Sequence, residues 1–418
     1  MHIQVIQAIR YHTVWGCRSI SYPKDAIIED GIIWDANKSE IYFVSVSHEG
    51  EFTIPDTVTE IGYYSFYFCE GLTSVSIGNS VTTIGEYAFW GCDGLTSVSI
   101  GNSVTTIGEY AFSWCESLES IAIPSSVTTI GEGAFYGCEN LKNIELPPYL
   151  STLERRTFMD CSKLETVHIG KYLSYIDGED VFYDCFSLQN IIVDEDNYYY
   201  ASNSTGALYN KDYSAILLCP PGKITFDIPN TVTAIGESAF YSCSKLISVS
   251  IPNSVTSIEK FAFEECSSIV HLVIPGSVTS ISDYAFYECL GLKSVTCVWD
   301  EPLPVITDNW VFSSEIYEHC PLYVPIGTKD KYANTATWCK FENIYERNVG
   351  GVHEISNDSD ANISVDGSEI CVSGDCDVRI VSMSGTNVYS GYGEARVNVA
   401  PGLYIVIAGK TATKVAVK

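Results

Sequence analysis

The 418-residue chain is poor in positive charge: 23 Lys and Arg stand against 52 Asp and Glu, a formal net charge of −29. That shortage excludes the basic face a nucleic-acid binder needs, and the same repulsion disfavours anionic membrane surfaces. No run of about 18 apolar residues occurs, so no transmembrane helix is expected. Residues 1–10 lack a basic segment followed by an apolar stretch, so no secretory signal is readable; a cytosolic chain, or a start downstream of a leader, is expected. Val14-Trp15-Gly16-Cys17 follows no apolar export segment, which weakens it as a lipid-attachment box. Catalytic signatures are missing as well: His-Glu-x-x-His, Gly-x-Ser-x-Gly, the P-loop and a strand-borne Gly-x-Gly-x-x-Gly are all absent. Asp358-Ser359-Asp360-Ala361-Asn362 opens as a calcium loop does, but Ile363 stands where that loop requires Gly. A solvated acidic linker is the expectation there, and neither a metal nor a cofactor is expected anywhere.

Apolar residues are plentiful, at 46% against 18% charged, which excludes global disorder. They are arranged in a repeat. Cys69, Cys92, Cys115, Cys138 and Cys161 recur every 23 residues, Cys185 follows after 24, and Cys243, Cys266 and Cys289 resume the interval after an interruption. The unit reads Ile-Pro-x-Ser-Val-Thr-x-Ile-Gly-x-x-Ala-Phe-x-x-Cys-x-x-Leu-x-Ser-Val-x, with nine copies beginning at Ile54, Ile77, Ile100, Ile123, Leu146, Ile169, Ile228, Ile251 and Ile274. A unit this short cannot close its own core, so nine stacked turns of a solenoid are expected, and its length falls in the range of leucine-rich repeats. Val98 and Ile100 alternate with Ser97 and Ser99, which marks a strand with its apolar side turned inward. Ser103-Val104-Thr105-Thr106-Ile107-Gly108 is β-branched and suits a second extended piece or turn, and Glu109-Tyr110-Ala111-Phe112 suits a short helical turn. The cysteines are expected to form a buried thiol column, because side chains in parallel register are spread along the axis and do not converge as metal ligands must.

Five regions follow. Residues 1–53 are an N-terminal segment with a capping hairpin, and 54–297 are the solenoid, with a hairpin insertion at about 194–227. The segment from Gly31 and Trp34 to Ile54 aligns with that from Gly206 and Tyr209 to Ile228, so one device opens a block of six repeats and a block of three. The inserted Tyr198-Tyr199-Tyr200 cluster is read as part of a core-covering hairpin, with a binding edge as the alternative. Residues 298–347 form the C-terminal cap, with Leu322-Tyr323-Val324-Pro325 as a last edge strand, a short helix from Lys329, and Trp338, Phe341 and Ile344 closing the core. Residues 348–361 are a linker, and 362–418 show short strands between turns, the pattern of a small β-sandwich.

The repeat, with its Gly-x-x-Ala-Phe centre and fixed Cys, resembles the BspA-like, Treponema-type leucine-rich repeat family over about three quarters of the chain; Asn210-Lys211-Asp212 and Tyr323-Val324-Pro325 match it too. The resemblance implies a non-catalytic surface or secreted protein with an adhesin-like role, extracellular or cell-surface in location. Ile380-Val381-Ser382-Met383-Ser384-Gly385 and Pro401-Gly402-Leu403-Tyr404-Ile405-Val406 resemble the C-terminal sorting domains of Bacteroidetes proteins exported by the type IX route.

The outward strand positions are the candidate binding face for a protein or glycan ligand: Ser74, Ser76, Ser97, Ser99, Ser120, Asn143, Glu145, Thr166, His168, Ser248, Ser250, His271 and Ser294. They are small, neutral and hydroxyl-rich, with little of the aromatic or Arg character of binding hot spots. A structural component of the cell envelope whose repeats self-associate is a second expectation. The weakest is an accessory protein of a hydrolase system, using carboxylates around Asp194 to Asp196.

Overall fold

The computed structural model describes residues 23–301 except 179, 310–347 and, towards the C-terminus, 362–366, 369–373, 377–382, 387–392, 395–400, 402–408 and 411–417. The lipid-box segment, the linker and its acidic 358–361 run, and Met383-Ser384-Gly385 lie outside the described residues. The solenoid winds through about thirteen turns. Parallel strands stack at equivalent positions without stagger: Ser74, Val75, Ser76 and Ile77 face Ser97, Val98, Ser99 and Ile100, each 23 residues on. The same register joins Asn143–Glu145 to Thr166–Ile169 and His271–Ile274 to Ser294–Cys297. The nine copies of the motif account for nine turns, eight of which carry a strand of this ladder, the turn at 118–123 passing without one. Four more come from segments that depart from the motif but keep its path: Gly50–Thr53 and Thr225–Asp227 at the head of each block, and Leu322–Pro325 and Ile344–Arg347 in the cap. Leu322–Pro325 is therefore not the edge, because Ile344–Arg347 pairs in parallel outside it.

Each coil has two further hydrogen-bonded sides. The β-branched Thr-Ile pair forms a short parallel ladder, Glu60–Ile61, Thr83–Ile84, Thr106–Ile107 and Thr129–Ile130. The Gly after it lies where backbones nearly touch: a Cβ on Gly108 would fall 2.6 Å from the Glu86 nitrogen. The segment expected to be a helical turn is not helical. Tyr87 and Gly91, Tyr110 and Trp114, and Gly133 and Gly137 all have positive φ, two per coil and four residues apart. These left-handed residues turn alternate N–H and C=O groups sideways to the next coil, so that Tyr87 N donates to Glu109 O (2.8 Å), Phe89 N to Ala111 O (2.7 Å) and Gly91 N to Ser113 O (2.9 Å). A helix would direct those groups along its own axis and leave the coil interface without them.

Inside, one phenylalanine per coil stacks on the next, Phe66, Phe89, Phe112, Phe135, Phe158 and Phe182 in the first block, with centroids 4.7–5.8 Å apart. Phe240, Phe263, Phe286 and Phe312 continue the column in the second. Beside it the cysteine thiols donate to a Phe carbonyl of the coil before, Cys92 to Phe66 (3.1 Å), Cys115 to Phe89 (3.3 Å), Cys138 to Phe112 (3.2 Å) and Cys266 to Phe240 (3.0 Å), whereas the first of each block turns to the hairpin, Cys69 to Val44 and Cys243 to Cys219. Burial drives these thiols away from ionisation, pushing Cys138 up to about 12. The cysteine column is thus a row of buried thiols that closes the carbonyl groups a tight turn exposes.

Two hairpins organise the stack. Ile27–Glu29, Ile32–Trp34 and Glu40–Val44 are antiparallel, and the last pairs in parallel with Glu60–Ile61. Tyr200–Ser202, Leu208–Asn210 and Ala215–Leu218 repeat this layout and hand over to Ala234–Ile235. The aligned sequences therefore fold alike. At the second hairpin the apolar core divides in two, one part reaching Leu208 and the other beginning at Ala207 and Tyr209. The cap adds the helices Ser314–His319 and Lys329–Ala333 and closes on Trp338, Phe341 and Ile344, all buried. The C-terminal region is all-β, with antiparallel sheets of three and four strands around Ile370, Val378, Ile380, Tyr404 and Val406.

Candidate functional site

The strand face is laid out by the pleat: with Val75, Val98 and Ile144 buried, their neighbours must turn outward. Ser76, Ser97, Ser99, Ser120, Asn143, Glu145, His168, Ser248 and Ser250 are exposed, while Ser74 and Thr166 are half-buried. Ser99 donates to Ser76 (3.2 Å), so part of the hydroxyl capacity is spent between coils. Towards the cap the open face ends. His271 is half-buried with its Nδ1 2.8 Å from Ser294 Oγ, and Ser294 is itself 9% exposed. Thr296 is buried because Tyr323 occupies the next outward rung and Arg347, lying 4.1 Å over the Tyr323 ring, reaches back to bond the threonine hydroxyl. Ser294 is thus no part of an open surface, contrary to the expectation from alternation alone, since the cap covers what the pleat turns outward.

A second surface follows the turn edge of the first block, and the strand-based reading did not find it. The variable positions of Gly-x-x-Ala-Phe-x-x-Cys carry Tyr63, Tyr64, Tyr67 and Phe68 in one coil, Tyr87 and Trp90 in the next, then Tyr110, Trp114 and Tyr136. Tyr64, Tyr87 and Tyr110 stack with centroids 4.8 and 5.1 Å apart, and Tyr67 stacks on Trp90 at 4.9 Å. At Tyr64, Tyr87, Tyr110 and Trp114 a left-handed backbone tips the ring onto the following coil. Where that coil supplies glycine the ring lies directly over it: a Cβ on Gly133 would fall 2.3 Å from Tyr110, and one on Gly137 2.8 Å from Trp114. The column ends where the Tyr110 hydroxyl donates to Glu132 (2.7 Å), which also pairs with Arg156 (3.3 Å). Tyr63 remains 50% exposed and Phe68 37%. The signal was present in the sequence, as aromatic residues at motif positions that the motif itself leaves free.

Between this edge and the strand face, in chain order around a coil, runs an acidic row: Glu70, Asp93, Glu116 and Glu139, one residue after each Cys. Burial, then the charges of Glu116 and Glu70, push Asp93 up to about 6. Asp184 is raised to about 6 by burial and by Asp160. The carboxylates considered for hydrolysis are otherwise engaged: Asp194 accepts from the Asp196 backbone (2.8 Å), and Asp196 pairs with Lys171 (3.1 Å). The tyrosine cluster beside them divides, with Tyr198 and Tyr199 exposed and Tyr200 donating to the Ser174 carbonyl (3.1 Å). Among the described residues no group of three or more His, Cys, Asp or Glu is placed to hold a metal ion, and no helix is long and apolar enough to cross a membrane.

The model of the BspA type leucine rich repeat region matches residues 40–138, 105–211 and 223–318, in six copies. No curated protein matches. Among solved structures, the pneumococcal vaccine antigen PcpA is 20% identical with a TM-score of 0.56, over 79% of this chain and 100% of that one. A leucine-rich repeat protein from Eubacterium ventriosum is 22% identical with a TM-score of 0.52, over 72% of this chain and 78% of that one. At these identities the likeness is one of fold.

Proposed function

Because the chain belongs to the BspA-type leucine-rich repeat family, a family of binding scaffolds, we propose that it is a surface-displayed, adhesin-like protein that binds a protein partner and performs no catalysis. The observation that carries this reading is the stacked aromatic edge of the first block, exposed at Tyr63 and Phe68 and half-buried elsewhere, with an acidic row between it and the open hydroxyl face. Aromatic side chains already held by stacking lose little freedom on binding and supply the anchors that small hydroxyls lack. The strand residues Ser76, Ser97, Ser99, Ser120, Asn143 and Glu145 would then form the polar surround that excludes water from those anchors. Surface placement rests on family resemblance, and the C-terminal β domain, with its likeness to sorting domains, is the part suited to attachment.

The test is surface plasmon resonance of the whole chain against a panel of extracellular-matrix proteins, with glycans alongside. Saturable binding to a protein, lost when Tyr63, Phe68 and Trp90 are changed to Ala, is the expected result. Binding to glycans alone, or to no probe while the chain remains folded, would overturn it.

A further inference from the structure

At the junction between the two blocks a coil lacks a hydrogen-bonded next neighbour along the Thr-Ile side. Tyr175–Ile176 pairs with Thr152–Leu153 on one flank only, because the inserted hairpin starts a new ladder at Ala215–Leu218. The gap is a cleft of about 480 Å³. Four tyrosines line it, Tyr175 and Tyr183 from the last coil of the first block, Tyr200 from the hairpin and Tyr241 from the second block, over leucines of the hairpin. Tyr183 and Tyr241 meet across the junction with centroids 5.9 Å apart. The charged lining consists of Asp177 and Glu237, and no Lys, Arg or His is among the lining residues. Asp177 accepts a bond from the Tyr175 hydroxyl (3.2 Å), and Glu237 is exposed at the rim. The nearest guanidinium, Arg155 beside Gly178, is paired with Asp180 (3.4 Å).

We propose that this cleft binds an alkylammonium group, with its carbon chain against the hairpin leucines and its charge among the tyrosine rings and the two carboxylates. Aromatic faces attract a desolvating cation. Two carboxylates with no Lys, Arg or His beside them among the described lining residues complete the match, and a chain of charge −29 draws cations towards it from a distance. A sugar would also stack on tyrosine, but it would leave both carboxylates without a compensating charge. The site is distinct from the aromatic edge, so it does not depend on the protein partner proposed above. Two sources share this chemistry, a free amine and a lysine side chain of a bound protein.

Saturation-transfer NMR and calorimetric titration of the whole chain would use Nα-acetyl-lysine methylamide, its uncharged norleucine counterpart, n-pentylammonium and maltotriose. The lysine probe and the free amine are expected to saturate one site with a dissociation constant on the order of millimolar, weakened by added salt. Tighter binding of the lysine probe would point to a protein source, and tighter binding of n-pentylammonium to a small molecule. The double change Asp177→Asn and Glu237→Gln is expected to weaken either by about tenfold, and Tyr241→Leu by about fivefold, with thermal unfolding unchanged in the double variant. Equal binding of the norleucine probe, no loss in the double variant, or binding of maltotriose alone would overturn the proposal. Tyr63→Ala and Trp90→Ala are expected to leave this binding intact, which separates its failure from failure of the adhesin reading.

Discussion

The two blocks of coils share an interior and differ in what they show to solvent. Both stack a phenylalanine and a thiol at the same offsets, and past the first coil of each block with the same bond from sulfur to a Phe carbonyl. On the turn edge the first block carries Tyr64, Tyr87, Trp90, Tyr110 and Trp114. In the second the equivalent stretches read Lys260-Phe261 and Glu264-Glu265, then Tyr284 and Tyr287-Glu288. There Lys260 lies 4.4 Å over the Phe261 ring, Phe261 stacks on Tyr284 at 5.3 Å and Tyr284 meets Tyr287 edge-on at 5.4 Å, so a three-ring cluster is capped by charge, while Tyr241 of the coil before packs on Tyr183 of the first block. The comparison teaches that positions pointing into the stack answer to the coil before and after, whereas those on the turn edge are free to vary once the backbone is left-handed. A binding surface can therefore be written on one block without disturbing the other.

The largest expected effect tests whether the blocks are also separate in energy. Because their cores divide at the hairpin, Phe112→Ala should cost about 3–5 kcal/mol in a denaturation step reported by the first block, and Phe263→Ala a similar amount in a step reported by the second. Urea titration with site-specific probes in each block checks this; one shared transition shifted equally by both changes would show the junction to be mechanically continuous.

Next in size is the edge itself. Trp90→Ala should weaken a protein partner by about 2 kcal/mol, Ser97→Ala by less than about 0.5 kcal/mol, and Glu265→Ala in the second block by a similarly small amount, all read by plasmon resonance. If the serine change proves the costly one, the strand face and not the aromatic edge is the contact.

The thiol column should behave alike in both blocks. Cys138→Ala and Cys266→Ala each remove a buried sulfur and its bond to a Phe carbonyl, for about 1–2 kcal/mol. Among the described cysteines, the exposed Cys339 should react first with a thiol reagent in the native chain while the buried column stays silent.

The smallest effect is electrostatic. Asp93 and Asp184, raised to about 6 from an ordinary 3.8, hold a proton in the folded state that the unfolded chain has released. Between about pH 4 and pH 6 their contribution to stability is therefore lost as pH rises. Asp93→Asn should raise the melting temperature slightly at pH 7 and leave it unchanged near pH 4, and calorimetry at the two pH values tests the sign.

Much of this architecture was legible because the repeat is strict. The spacing of the cysteines set the length of each turn, and the alternation around Val98 told the buried side of the strand from the open one. The recurrence of Gly31 to Ile54 in Gly206 to Ile228 announced two hairpins of one design. Of the four rungs outside the motif, Leu322–Pro325 was legible as a strand, though not its inner place; the other three were not, since Gly50–Thr53 and Ile344–Arg347 take their path from the neighbour they pair with and not from their own residues. Ser294 was misplaced for a related reason: alternation says which way a side chain points, and nothing about the cap strands that arrive about thirty and fifty residues later, where Tyr323 and Arg347 close over the neighbouring Thr296. Tyr110 and Trp114 lie in a segment that suits a helical turn, and only coil-to-coil hydrogen bonding forces them to positive φ.

By itself, then, the sequence determined the solenoid, its two blocks and the occupants of its core, because a short-period pattern of apolar residues has one way to be buried. Tertiary structure decided the rest: which rungs extend the stack, how the cap closes the strand face, how the aromatic edge lines up, and the cleft left where one ladder stops. Each of these depends on the distance between groups far apart in the chain, and a local pattern carries no record of that distance.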